Sequence, residues 1–276
     1  DDVFEKIAIE LFHFQYLNNE VYKKWCDLIE IEPHNVQNIE QIPFLPISSF
    51  KSHKVLPTGL NPKLSFQSSG TSSNESSFHY IAYPELYKHT LMKNFEFFYG
   101  KPHDYTFLAL LPSYLEKGNS SLVYMCKTLM DSSNDSQNGF YLYEHEKLYK
   151  TICELKNANK KTILIGVSYA LLDFAEKYNF SFPNLIVMET GGMKGRRKEI
   201  IREDLHSCLK TAFGVENIHS EYGMTELLSQ AYSKQNGKFY CPPWMKIFVS
   251  KSTNPFELEK NYRSGGINVI DLANAY

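Results

Sequence analysis

Apolar residues recur at helical spacing from the start of the chain. Phe4, Ile7, Leu11 and Phe14 step by three and four, and Val21, Trp25, Leu28 and Ile29 continue the stripe. Pro33, which lacks an N–H, ends it. Ile42-Pro43-Phe44-Leu45-Pro46-Ile47 is apolar but cannot be helical, because its two prolines force an extended path. Residues 64–66 read as a short strand. Beyond them, buried-strand runs at 105–111, 140–143, 162–167 and 185–188 alternate with amphipathic stretches at 122–130, 148–157, 169–178 and 200–213. That alternation predicts βαβ units and a largely parallel sheet. The polar run 131–138 reads as a surface loop. After Gly223 the pattern changes to short strands at 228–232, 246–249 and 267–270. There is no internal repeat and no clear linker.

Composition narrows the function classes. Lys+Arg is 29 and Asp+Glu is 31, a net charge of −2, which argues against a dedicated nucleic-acid binder. Hydrophobic residues at 43% and charged residues at 22% describe a globular chain. No apolar stretch is long enough for a membrane span and no secretory signal precedes the first helix, so a cytoplasmic location is expected. The five cysteines, Cys26, Cys126, Cys153, Cys208 and Cys241, form no C-x-x-C pair and read as reduced, mostly buried thiols. The nine histidines are dispersed, with no H-E-x-x-H spacing for zinc.

Three segments carry residue types suited to nucleotide chemistry. Ser68-Ser69-Gly70-Thr71-Ser72-Ser73 follows a strand, and its hydroxyls and backbone N–H groups can wrap phosphate oxygens. A solvated serine-rich loop has the same composition. Glu189-Thr190-Gly191-Gly192 lies where ligands sit in parallel sheets, beyond a strand's carboxyl end, and paired glycines let backbone approach a flat ring. A plain turn reads the same way. The Lys194–Lys198 basic cluster that follows fits a solvated helix start. In Glu221-Tyr222-Gly223-Met224-Thr225-Glu226 the ring can stack on a base, the Thr225 hydroxyl can bond a phosphate and the Glu226 carboxylate can hold Mg²⁺. A competing motif, Gly166-Val167-Ser168-Tyr169-Ala170, approaches the nucleophile elbow of α/β hydrolases. Its triad would draw on Asp173 or Asp204 and His206 or His219; alternatively, Ser168 caps the following helix.

Taken in order, the three segments resemble those of the adenylate-forming superfamily of acyl and aryl acid ligases. Ser68–Ser73 resembles its phosphate loop, although the superfamily's later Gly and Lys are replaced here by Asn74-Glu75. Gly191-Gly192 resembles its adenine-wall glycines, and Tyr222-Gly223-Met224-Thr225-Glu226 matches its Y-G-x-T-E motif. The acyl-protein synthetase (LuxE-type) branch is more similar still, over roughly residues 40–276. That likeness rests on Ile42–Val55, on Leu111-Pro112-Ser113-Tyr114-Leu115-Glu116 with Gly118–Leu122, on Gly191–Arg196 and on Gly266–Ala273.

The resemblance implies an α/β fold: the large N-terminal domain of an adenylate-forming enzyme, with mostly parallel sheets and flanking helices. It would occupy residues 1–276, with residues 1–40 a helical extension packed on it and the C-terminal lid domain absent. It also implies ATP-dependent activation of a carboxylic acid, fatty or other acyl, as acyl-AMP, with transfer to a thiol. The acceptor would be a cysteine near the enzyme's own C-terminus, a carrier protein or coenzyme A. None of the five cysteines here matches the acceptor of the luminous-bacteria members. ATP and Mg²⁺ are the implied cofactors. Ser68–Ser73 would hold the β- and γ-phosphates, Thr225 the α-phosphate and Glu226 the metal. Tyr222 would stack on adenine against Gly191 and Gly192, with Glu221, Gly223 and Met224 completing that segment. Pro112, Ser113 and Tyr114 would border the acyl pocket. The alternatives are a serine hydrolase using Ser168 and a non-catalytic nucleotide-binding remnant.

Overall fold

The apolar stripe at the start of the chain folds as helices α1 (Asp2–Asn18) and α2 (Glu20–Leu28). Asn19 joins them, its side chain accepting hydrogen bonds from the N–H groups of Val21 and Tyr22 at 3.2 and 3.3 Å. Phe4, Ala8 and Phe12, one helical turn apart, bury against Tyr22, Cys26, Val36 and Ile42. The computed structural model describes residues 2–68, 76–112, 116–193, 195–259 and 264–276. The chain forms two compact units.

The first unit comprises Asp1–Thr90, Thr225–Ser229 and Cys241–Tyr276. Besides α1 and α2 it holds the short helix α3 (Ser49–Ser52) and an antiparallel hairpin of β1 (Leu64–Gln67) and β2 (Phe78–Ile81). It also contains a three-stranded antiparallel sheet in the order β10 (Asn254–Leu258), β9 (Met245–Lys251), β11 (Gly266–Asp271). Ile270 and Leu272 pack on the α1–α2 cluster, so the N-terminal helices share a core with the β11 end of the chain.

The second unit comprises Leu91–Met224 and Gln230–Tyr240. Helix α4 (Pro84–Tyr99) leads into it. Its six-stranded sheet runs β4 (Gly139–Phe140), β3 (Thr106–Leu110), β5 (Thr162–Gly166), β6 (Leu185–Glu189), β7 (Ile218–Tyr222), β8 (Ala231–Ser233). All pairings are parallel except that of β7 with β8. The connecting helices are α5 (Ser121–Ser133), α6 (His145–Asn157), α7 (Ser168–Ala175) and α8 (Arg202–Phe213). Every residue of β3 and β5 is buried, as expected of central parallel strands covered on both faces. The strand order reverses at β3: the chain goes to β4 on one side and returns to β5 on the other. Ligands in such sheets bind beyond the carboxyl ends at this switch.

Several boundaries differ from those the sequence suggests. The expected loop at 131–138 begins as helix: α5 continues to Ser133 and ends where Asn134 takes a left-handed φ of 55°. Asn138 accepts from the Phe107 N–H at 2.7 Å, so this polar run is tied to β3. Residues 228–230 are not strand, and β8 starts only at Ala231. Of the five thiols only Cys26 and Cys126 are buried, and Cys208 is exposed. Among the described residues no helix is long and apolar enough to cross a membrane.

Candidate functional site

In the parallel-sheet unit the candidates gather at carboxyl ends of strands. Leu110, Gly166, Glu189 and Ser220 stand in one row across β3, β5, β6 and β7. Pro112 follows β3, whereas Ser113 and Tyr114 lie outside the described residues. After β6 the chain turns through Gly191 (φ 72°) and Gly192 (φ 88°), a left-handed path that favours glycine. A Cβ at Gly191 would meet nothing within 4 Å, so the glycine there serves backbone conformation and leaves an open face.

Glu189, 2% exposed, fixes that turn. Its Oε2 accepts from the Gly191 N–H at 2.7 Å and from the Ser168 hydroxyl at 3.3 Å. Its Oε1 lies 3.7 Å from both Arg202 Nε and His206 Nε2. Burial alone would raise its pKa; His206, Ser220, the Gly191 N–H and Arg202 outweigh burial and hold the carboxyl below the usual range. Arg202 also stacks over Phe239, 5.2 Å from the ring centroid, and Phe239 meets Tyr222 edge-on at 6.2 Å. A continuous run of contacts thus joins the glycine turn to the Tyr222 ring at the end of β7.

Glu221, on the opposite side of the β7 strand from Ser220, is 9% exposed. Burial, then the Glu189 charge, pushes its pKa up to about 8. Its Oε1 occupies the space of a Gly223 side chain: a Cβ there would come within 2.5 Å of it. The Tyr222 hydroxyl lies 3.2 Å from Met224 Sδ.

Ser168 behaves as neither rival reading expects. It is 2% exposed and donates to a carboxylate rather than to an imidazole. Nor is it a cap, since Val167 holds the N-cap position of α7 and no side-chain cap bond forms. The basic stretch after Gly192 is not a helix start either, because α8 begins at Arg202. There Arg197 pairs with Asp173 and Glu176, and Arg196 stacks over Tyr169. Lys194 lies outside the described residues.

In the other unit the serine-rich segment falls in sequence between the paired strands β1 and β2. Ser68 and Ser77 close its base: the Ser68 N–H donates to the Ser77 carbonyl at 3.0 Å, and Ser68 Oγ accepts from the Ser77 N–H at 2.9 Å. Ser69, Gly70, Thr71, Ser72 and Ser73 lie outside the described residues. Two residues beyond Ser77, His79 is buried on β2, and its Nδ1 lies 2.9 Å from the Thr225 carbonyl oxygen. Its Nε2 lies 3.1 Å from Asn274 Oδ1, and Asn274 Nδ2 donates to the Glu226 carbonyl at 2.9 Å. Burial pushes His79 down to about 4 against its two hydrogen bonds, so the ring is neutral at ordinary pH.

The following residues are held by Asp271, at the end of β11. Its carboxylate accepts from the N–H groups of Leu228 and Ser229 at 3.0 and 2.9 Å and from the Ser229 hydroxyl at 2.7 Å. Glu226 is 7% exposed, and among the described residues its carboxylate has no hydrogen-bonding or ion-pair partner. No group of three or more His, Cys, Asp or Glu side chains able to hold a metal occurs among the described residues. A lone carboxylate still fits Mg²⁺, which takes one or two carboxylates and completes its shell with phosphate oxygens and water.

The sequence reading assigns no site role to Glu189, His79, Asn274 or Asp271, although Glu189 and Asp271 lie within segments it singles out. Three of the four left a faint signal. Glu189 and Asp271 are carboxylates that end apolar strand runs, and His79 falls on an inward position between Phe78 and Ile81.

Comparison with known proteins bears on the family and the fold. The family described as "Acyl-protein synthetase, LuxE" matches residues 1–87, which takes in the N-terminal helices as well as the 42–55 signature. The long-chain-fatty-acid–luciferin-component ligase of Aliivibrio fischeri is 24% identical over 99% of this chain and 75% of its own length. The chain therefore resembles the LuxE-type acyl-protein synthetases. Two solved structures of a 2-hydroxyisobutyryl-CoA ligase superpose over the whole chain with a TM-score of 0.71 at 11% identity. One is an open conformation with 2-HIB-AMP and CoA, the other a postadenylation state with 2-HIB-AMP. That likeness shows the fold, which this chain shares with the matched part of the CoA ligase. The chain spans 62% and 60% of the length of those two structures.

Proposed function

We propose that this chain activates a carboxylic acid with ATP, forming an acyl-AMP whose acyl group passes to a thiol. The observation that carries the reading is the His79–Thr225 hydrogen bond. It ties the strand that follows the serine-rich loop to the Thr-Glu end of the Y-G-x-T-E segment within one compact unit. The glycine turn joined to Tyr222 through Glu189, Arg202 and Phe239 supports a base-binding role for Gly191, Gly192 and Tyr222. The name of the Aliivibrio fischeri relative favours a long-chain fatty acid as the substrate.

In this reading a carboxylate oxygen of the acid attacks the α-phosphorus of ATP, and the bond to the β-phosphate oxygen breaks to release pyrophosphate. No general base is required, because the acid is ionised at neutral pH. Catalysis is then alignment and charge neutralisation. Ser68–Ser73 hold the β- and γ-phosphates, and the Thr225 hydroxyl donates to the α-phosphate. Glu226 would hold Mg²⁺, which when bound would supply neutralisation of phosphate charge. Pro112, Ser113 and Tyr114 border the acyl chain; of these, Pro112 follows β3, beside the switch point. A thiolate then attacks the acyl carbon and AMP leaves. The acceptor belongs to one of three classes: a cysteine of the same protein, a carrier's thiol or coenzyme A.

Acid-dependent exchange of labelled pyrophosphate into ATP, run against carboxylates of graded chain length, tests the reading. Exchange is expected with at least one long-chain acid, and Glu226→Ala is expected to lower it by about 100-fold or more without unfolding the chain. Saturable ATP binding with no exchange for any acid would overturn it.

A further inference from the structure

Thr225 and Glu226 are held by their main-chain carbonyls, and the two groups that hold them touch each other. A carbonyl partly removed from water gains from a donor. Thr225 receives one from the His79 ring, and Glu226 receives one from the Asn274 amide, at 2.9 Å in each case. The ring and the amide then meet at 3.1 Å. His79 is itself fixed: it is 3% exposed, its strand position pairs with Phe66 of β1, and Phe50 packs edge-on against the ring at 5.6 Å. Asn274 is fixed through its own N–H, which bonds the Asp271 carbonyl at 3.0 Å.

We propose that His79 and Asn274 are positioning residues that set where the Thr225 hydroxyl and the Glu226 carboxylate stand during adenylation. The proposal rests on the function given above, which assigns Thr225 and Glu226 to the α-phosphate and the metal. It adds the relay that places them, running from the hairpin of the serine-rich loop to the end of the chain described here.

The proton count of the relay makes it specific. A neutral imidazole carries one N–H, yet both ring nitrogens face oxygen. With the proton on Nδ1, the Thr225 carbonyl is satisfied and Nε2 is a bare acceptor opposite Asn274 Oδ1. A half-turn of the amide would offer its NH2 to Nε2, but would take it from the Glu226 carbonyl. Asn274 therefore has two orientations, one that holds Glu226 and one that holds the ring. Asn274→Asp keeps the shape and removes the donor in both.

Steady-state pyrophosphate exchange on Asn274→Asp, His79→Ala and His79→Gln tests the relay, with the fold checked by circular dichroism. Asn274→Asp is expected to lower kcat about 10-fold to 100-fold while KM for ATP moves about threefold or less, since the base contacts are untouched. His79→Gln, which can still donate to Thr225, is expected to recover much of the kcat lost in His79→Ala. A folded Asn274→Asp with wild-type kcat, the result of a merely packing role, would overturn the proposal. Should Asn274→Asp not fold, equal kcat in the two His79 variants would overturn it instead. If wild-type protein exchanges with no acid, the functional reading fails and the relay is judged by nitrogen NMR of the His79 ring in the wild type and in Asn274→Asp. A neutral, singly protonated ring that becomes doubly protonated once a carboxylate replaces the Asn274 amide upholds the relay, and a spectrum unmoved by the substitution refutes it.

Discussion

Glu221 and Gly223 illustrate how closely the strand-end residues depend on one another. The carboxyl of Glu221 fills the volume that any side chain at 223 would need. Gly223→Ala is therefore expected to displace that carboxyl at a cost of about 1 kcal/mol of stability, read by urea unfolding, and Glu221→Ala in the same chain is expected to relieve it. Equal loss with and without Glu221 would contradict the clash. The same side chain sets a pH dependence. Its folded pKa of about 8 lies above its ordinary 4.5, so the folded chain keeps a proton that the unfolded chain releases. The contribution is full below about 4.5 and is lost as pH rises to about 8, with a slope of up to roughly 1.4 kcal/mol per pH unit. Subtracting the stability profile of Glu221→Gln from that of the wild type should isolate this slope. Parallel profiles between pH 4.5 and 8 would refute it.

Elements were legible in proportion to how apolar their inward positions are. β3, β5 and β6 stand out because strands buried on both faces read as unbroken apolar runs. Helix α4 escaped because its buried stripe, Tyr87, Thr90, Leu91, Asn94 and Phe95, includes two polar members. Asn94 is fully buried, and its Nδ2 donates to the Gln230 carbonyl at 2.9 Å. β2 and β7 escaped for the same reason, since His79, Ser220 and Glu221 take inward positions. Of these polar residues, His79, Ser220 and Glu221 stand in the candidate site, which is where local rules are expected to fail. Asp271 is a further case: it ends β11 and organises residues 228 and 229, which the apolar pattern alone would make a strand. Its pKa is raised by burial even against four hydrogen bonds, a sign of how far it is removed from water. Asp271→Ala leaves two main-chain N–H groups and a hydroxyl without their acceptor, and should cost roughly 2–3 kcal/mol by thermal or urea unfolding. A loss within about 0.5 kcal/mol, the range of an ordinary surface change, would contradict that role.

At the scale of the molecule, the motifs that suggested the chemistry are divided between two units. The glycine turn and Tyr222 stand at strand ends of the parallel sheet, and the serine-rich hairpin, Thr225 and Glu226 belong to the other unit. The chain passes from one set to the other at the peptide bond between Met224 and Thr225. Sequence order made the motifs visible, whereas the contacts that hold them through His79, Asn274 and Asp271 join residues far apart in the chain and leave no local spacing to read. The central claim is that a carboxylate oxygen becomes bonded to the α-phosphorus of ATP. Supplying the acid with both carboxylate oxygens heavy-labelled, with a thiol acceptor, and weighing the nucleotide product by mass spectrometry tests this most directly. The account predicts AMP carrying one label and unlabelled pyrophosphate. Unlabelled AMP, or ADP with label in inorganic phosphate, would contradict it.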